Sequence, residues 1–135
     1  MSEIDNVLID ETRRQLKDLS KTFVRLHKTL LESAKVEYEV KNGTIKSVNQ
    51  YFQLVLDDEH FAWLRKMSSL IALIDEATSL RRPTTEIKAQ ALLNEAKILL
   101  HFEDTDKNFN DEFQRALQKN SDAVINYNEA LNHFK

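Results

Sequence analysis

The chain has 135 residues, 30% charged and 41% hydrophobic, with one glycine, one proline and no cysteine. That length suits a single domain, residues 1–135, burying roughly two-thirds of its unfolded surface. So little glycine and proline excludes a many-turned sheet protein and a glycine-cradled phosphate site; the lack of cysteine excludes disulfides, thiol catalysis and thiolate metal sites. The net charge of -3 is unevenly spread: residues 13–46 carry nine Lys/Arg against four Asp/Glu, residues 103–135 four against seven. The opening residues, Met1 to Asn6, are acidic and polar, unlike a secretory leader. No run approaches the roughly 18 apolar residues of a membrane span. A cytoplasmic protein with no membrane partner is expected.

The first predicted helix covers about residues 3–41. Ile9, Thr12, Leu16, Leu19, Phe23, Leu26, Leu30 and Ser33 recur at spacings of three and four on one stripe. Asn42-Gly43 is a natural stop, since both residues tolerate the left-handed conformation. Unbroken, such a helix is about 58 Å long, long for so small a domain. Either it kinks near Ser20-Lys21 or its overhanging seam (Val7, Leu8, Ile9, Leu16) pairs with a second subunit. A homodimer is the preferred expectation.

Ser47 and Gln50 match a capping box, with Gln50 returning to the Ser47 amide. The short helix that follows should bury Val48, Tyr51, Phe52, Val55 and Leu56. Asp57-Asp58-Glu59 then suits the positive end of a helix running to about Leu80, with Phe61, Leu64, Met67, Ile71 and Ile74 inward. Arg81-Arg82-Pro83 breaks it. Thr84 or Thr85 can cap a fourth helix, about 86–102, whose apolar residues surround most of the cylinder and predict a central position. Asp104, Thr105, Asp106 and Asn108 are plausible caps for the last helix, about 109–134. Its Phe113, Leu117, Asn120, Val124, Tyr127, Leu131 and Phe134 keep four-three spacing, as in a coiled-coil seam with Asn120 fixing register. The sum is an all-α, up-and-down bundle of four main helices plus one short one, the first and last being long.

Chemistry-bearing patterns are few. His27, His60, His101 and His133 fall in separate segments, and Asp57-x-x-His60 has no second copy to complete a bundle di-metal site. The zinc-protease spacing is absent, so neither metal nor cofactor is expected. No arginine precedes a histidine by four to six residues, as in several helical ribonuclease toxins. Ser68-Ser69 lacks a base and an oxyanion hole. Adjacent carboxylates such as Asp75-Glu76 diverge around a helix, and solvation accounts for them. No catalytic residue is assigned.

Two clusters remain. Arg14, Lys21, Lys28 and Lys35 recur every seven residues, flanked by Lys17 and Arg25. This basic face could track phosphates, but it lacks aromatics and belongs to an acidic chain, so a solvated face is expected and nucleic acid is not. The densest cluster is Phe61-Ala62-Trp63-Leu64-Arg65 with Ser68, Leu70-Ile71, Ile74 and Asp75-Glu76. Core filling accounts for most of it; Trp63 and Arg65 also suit an anchor for a partner.

At this cluster the chain resembles a family of small uncharacterised bacterial proteins, through His27-x-x-Leu30-Leu31, Tyr38-Glu39, Asn42-Gly43, Leu54-x-Leu56, Phe61-Ala62-Trp63-Leu64-Arg65 and Ser68-x-Leu70-Ile71-x-x-Ile74-Asp75-Glu76. The resemblance covers about residues 26–76. It implies a bacterial source and a helical fold, and brings no activity, cofactor or catalytic residue.

The expected function is a non-enzymatic interaction or regulatory protein. The alternatives are a small-molecule pocket lined by His27, Tyr38, Trp63 and Arg65, and nucleic-acid binding through the basic face of the first helix.

Overall fold

The computed structural model describes residues 6–82 and 84–135. It contains α1 (Asp10–Asn42), α2 (Val48–Asp57), α3 (Arg65–Ala77), α4 (Glu86–Leu100), α5 (Lys107–Lys119) and α6 (Ser121–Leu131), with 3-10 helices at Glu59–Leu64 and Asn132–Phe134. Among the described residues the only strand-like pairing is an isolated antiparallel bridge between Val7 and Thr85. The described residues are all-α, with six α-helices where five were expected. The expected break at Pro83, and residues 3–5 of the expected first helix, lie outside the described residues.

Four helices pack together as a bundle. α1 packs against α3 and α6, and α4 closes the ring by meeting both of those helices. Polar cross-links join them. Thr29 Oγ1 donates to Asn126 at 2.6 Å, while Arg25 reaches Glu129 at 3.2 Å, so α1 and α6 run antiparallel. Ser20 Oγ donates to Asp75 at 2.8 Å from α1 to α3. The tyrosine hydroxyl of Tyr127 on α6 donates to the Leu100 carbonyl at the end of α4, at 2.6 Å. At the far end of α1 the bundle is extended by α2, the 3-10 helix Glu59–Leu64 and α5.

α1 is the organising element. Leu16, Leu19, Phe23, Leu26 and Leu30 are fully buried, as the three-four spacing predicts. It is one uninterrupted helix through Ser20-Lys21. The expected overhang is largely absent: Leu8 and Leu16 are buried within the chain, while Val7 and Ile9 stay exposed. The helix begins at Asp10, and Val7 before it bridges Thr85. The exposed-seam argument for a dimer therefore loses its two leucines.

Further corrections concern the other helices. α4 is not central: Ala89, Leu93, Ala96, Leu99 and Leu100 are buried, whereas Ile87 and Ala91 are exposed, so it buries one face only. The third predicted helix starts as 3-10, with Asp58 Oδ1 accepting the His60 N–H at 2.8 Å. Gln50 accepts from the Lys46 amide at 2.8 Å rather than from Ser47, although Ser47 caps as expected, accepting the Gln50 N–H at 3.0 Å. The long last helix is two. Asn120 has extended backbone, φ -135° and ψ 108°, and accepts the Ala123 N–H at 3.2 Å. It is the cap of α6, not a register residue on a seam.

Candidate functional site

The four candidate contact residues occupy separate places. His27 and Tyr38 lie eleven residues apart on α1, a rise of roughly 16 Å. His27 is largely buried; burial pushes its imidazole below the ordinary value, and a hydrogen bond to the Leu64 carbonyl opposes this only in part. Tyr38 packs against the rings of His60 and Phe61 at 5.6 and 5.8 Å. Trp63 is 8% exposed and faces Phe109 at 6.3 Å, so its ring fills core and offers little surface to a partner. Arg65 donates to the carbonyls of Val55 and Asp58 at 3.2 and 3.0 Å, tying down the end of α2. These groups do not converge on one cavity. Each holds a joint of the fold.

His60 holds another joint. Its Nε2 lies 2.7 Å from the Ala34 carbonyl, an acceptor, so this nitrogen carries the proton. Beside it Arg115 forks onto Glu37 at 3.0 and 3.1 Å and reaches Glu112 at 2.7 Å, while Lys119 adds a contact to Glu37 at 3.2 Å. Burial raises the Glu37 carboxyl, but the Arg115 and Lys119 contacts outweigh it and hold the group below its ordinary value. The void among Trp63, His60, Glu37 and Arg115 is about 10 Å³, room for a single water. Among the described residues no three His, Asp or Glu side chains are grouped to hold a metal ion. None of the described helices is long and apolar enough to cross a membrane.

The basic face is partly used. Arg14, Lys21 and Lys28 are exposed on α1. Lys35 instead lies over the Tyr51 ring at 5.0 Å, a cation–π contact that fastens α2 to α1. Exposed Val24 interrupts the line, and flanking Arg25 is engaged by Glu129.

A roomier concavity among the described residues lies elsewhere, between the end of α3 and the start of α4. It is a groove of about 550 Å³ lined by Leu73, Glu76, Ala77, Arg82, Thr84, Lys88, Ala91 and Leu92. Its shape follows from the helix ends. Thr78 terminates α3 by donating its hydroxyl to the Ile74 carbonyl at 3.0 Å, and the Thr84 N–H returns to the Ala77 carbonyl at 3.1 Å. Thr85 then starts α4, its hydroxyl accepting the Lys88 N–H at 3.3 Å. Small Ala77 and Ala91 leave the gap open. Leu73 in the wall is 53% exposed, and Leu80 in the bordering loop 79%. Sequence reasoning missed this groove, because Arg81-Arg82-Pro83 reads as a helix breaker and Ala91 as core.

Comparison with family models, curated proteins and solved structures gives no match.

Proposed function

We propose that the chain is a non-enzymatic interaction protein that seats an apolar, acidic segment of a partner protein in the α3–α4 groove. The observation that carries this is the groove's make-up. Leu73, Ala77, Ala91 and Leu92 give it an aliphatic lining, while Arg82 and Lys88 outnumber Glu76 among its charges. Aliphatic residues on the partner would exchange water for this lining, and a carboxylate would answer the excess positive charge. The resemblance over residues 26–76 adds no activity to this reading.

A peptide library panned on the protein tests it. Selected peptides should combine Leu, Ile or Phe with Asp or Glu. Leu73→Asp and Lys88→Glu should each weaken them at least about tenfold, or 1.4 kcal/mol. Peptides without acidic residues, or binding indifferent to both changes, would refute the reading. A small carboxylate-bearing ligand is the second reading, favoured by a volume within the range of small-molecule sites. Thermal stabilisation by such a metabolite, lost in Lys88→Glu and unaccompanied by peptide binding, would select it.

A further inference from the structure

α2 rests on the 3-10 helix Glu59–Leu64 and is joined to the core through Tyr51, Leu54 and Val55. Its apolar residues are not all consumed by this contact. Val48, Phe52 and Leu56 remain 83%, 61% and 50% exposed, contrary to the expectation that they are buried. The physical reason is a roll of the helix about its axis. Tyr51 is held between Lys35 and Phe61, and Arg65 grips the Val55 carbonyl, which turns Leu54 inward and the ridge outward.

The ridge has an unusual composition for this chain. Spaced at four-residue intervals, its members form one line about 12 Å long. From Ser47 to Leu56 there is no charged residue, although 30% of the chain is charged. Asn49 and Gln53 border the line. Basic Lys46 precedes the helix, and acidic Asp57-Asp58-Glu59 ends it.

We propose that this ridge is the interface of a homodimer, in which α2 packs antiparallel against α2 of a second copy about a two-fold axis passing close to Phe52. Three features select a second copy as the occupant. Val48 and Leu56 are each four residues from Phe52, so antiparallel pairing sets Val48 against the partner subunit's Leu56 and brings the two Phe52 rings together. An uncharged face can meet itself without placing like charges opposite one another. Finally, the basic start of one helix comes alongside the acidic end of the other, whereas parallel pairing would align like with like. A membrane surface is a poorer occupant, because the helix lacks the cationic flank that interfacial helices use. The ridge is short, which puts the dimer at the weak end of specific interfaces.

The chain's lack of cysteine makes a direct test simple. Light scattering across a concentration series should show the unmodified protein reaching dimer mass below about 1 mM. Phe52→Asp should shift it to monomer with an unchanged circular dichroism spectrum. Phe52→Cys should form a disulfide-linked dimer under mild oxidation, at least about tenfold faster than Gln53→Cys, which points a quarter-turn away. A protein that stays monomeric throughout the series overturns the proposal. So does a dimer indifferent to Phe52→Asp, or equal cross-linking at positions 52 and 53.

Discussion

Asn6 and Glu86 cap one another's helices. The Asn6 side-chain oxygen accepts the Ile87 N–H at 3.1 Å in the first turn of α4, and the Glu86 carboxylate accepts the Ile9 N–H at 3.0 Å at the start of α1. The same carboxylate accepts the Thr12 hydroxyl at 2.8 Å and the Gln90 amide at 2.8 Å. It thus performs for α1, from another helix, the return contact of a capping box. Two helices are tied at their N-termini by groups 77 residues apart in sequence.

Glu86→Ala should therefore destabilise the fold by about 1 kcal/mol near neutral pH, the usual worth of a cap. Burial raises the Glu86 carboxyl, but hydrogen bonds from Gln90, the Ile9 amide and Thr12 outweigh it, and the group lies below its ordinary value. A depressed carboxylate stabilises the fold above its unfolded pKa and ceases to as pH falls through the folded one. The gap between variant and parent should narrow as the pH drops below about 4.3, the unfolded value. Urea titrations at neutral and acid pH measure this; a gap independent of pH would remove the carboxylate's charge from the account.

Phe102 carries the one described non-glycine left-handed backbone, φ 58°. It closes α4: the Phe102 N–H donates to Leu99 at 3.3 Å and the Glu103 N–H to Ile98 at 3.0 Å, the paired bonds of a Schellman end where glycine usually stands. Its ring explains the exception, meeting Phe113 edge-on at 5.2 Å and stacking on Tyr127 at 5.7 Å. Removing the ring costs packing, but glycine relieves the backbone and alanine does not. Phe102→Gly should accordingly be more stable than Phe102→Ala by about 1 kcal/mol. Thermal melts of the two variants compare them, and alanine the more stable would contradict the backbone assignment.

How far the sequence could be read depended on whether the deciding contact was local. The buried stripe of α1 was legible because periodicity is a property of one segment, and Leu16, Phe23 and Leu30 obey it. The caps at Ser47 and Thr85 were legible for the same reason. Contacts between distant segments were not. Nothing near Val48 or Leu56 reveals that Arg65 and Lys35 roll α2 outward. Nor does anything near Ile9 reveal that Glu86 will hold its amide. The candidate residues His27, Tyr38, Trp63 and Arg65 were chosen for chemical variety, yet burial and backbone bonding consume them at separate joints. The groove escaped because two alanines, Ala77 and Ala91, make a concavity only once α3 and α4 are side by side.

Asn120 shows how an unbroken spacing can hide a break. Phe113 before it and Ala123 after it are both buried, so the apolar pattern passes through the cap without interruption. Asn120→Ala should cost about 1 kcal/mol, and Asn120→Asp close to nothing, since aspartate caps as well. Chemical denaturation of both variants separates the roles. Were Asn120 a register residue on a seam, alanine would be tolerated or stabilising and aspartate would be the damaging change.

His27 gives the fold a pH response above the carboxylate range. Burial holds its folded pKa below the unfolded value of about 6.5. Between those two values the unfolded chain binds the extra proton, so stability falls as pH drops through about 6.5 and levels off below the folded value. The depressed carboxylates Glu37, Glu86 and Asp104 do not contribute there, because their transitions lie below their ordinary values. Denaturation midpoints at about pH 7.5 and about pH 5.5 bracket the histidine alone among these shifted groups. His27→Gln, which keeps a hydrogen-bonding group for the Leu64 carbonyl but cannot take up a proton, should flatten the difference between the two. A slope that survived the replacement undiminished would assign the response to another group.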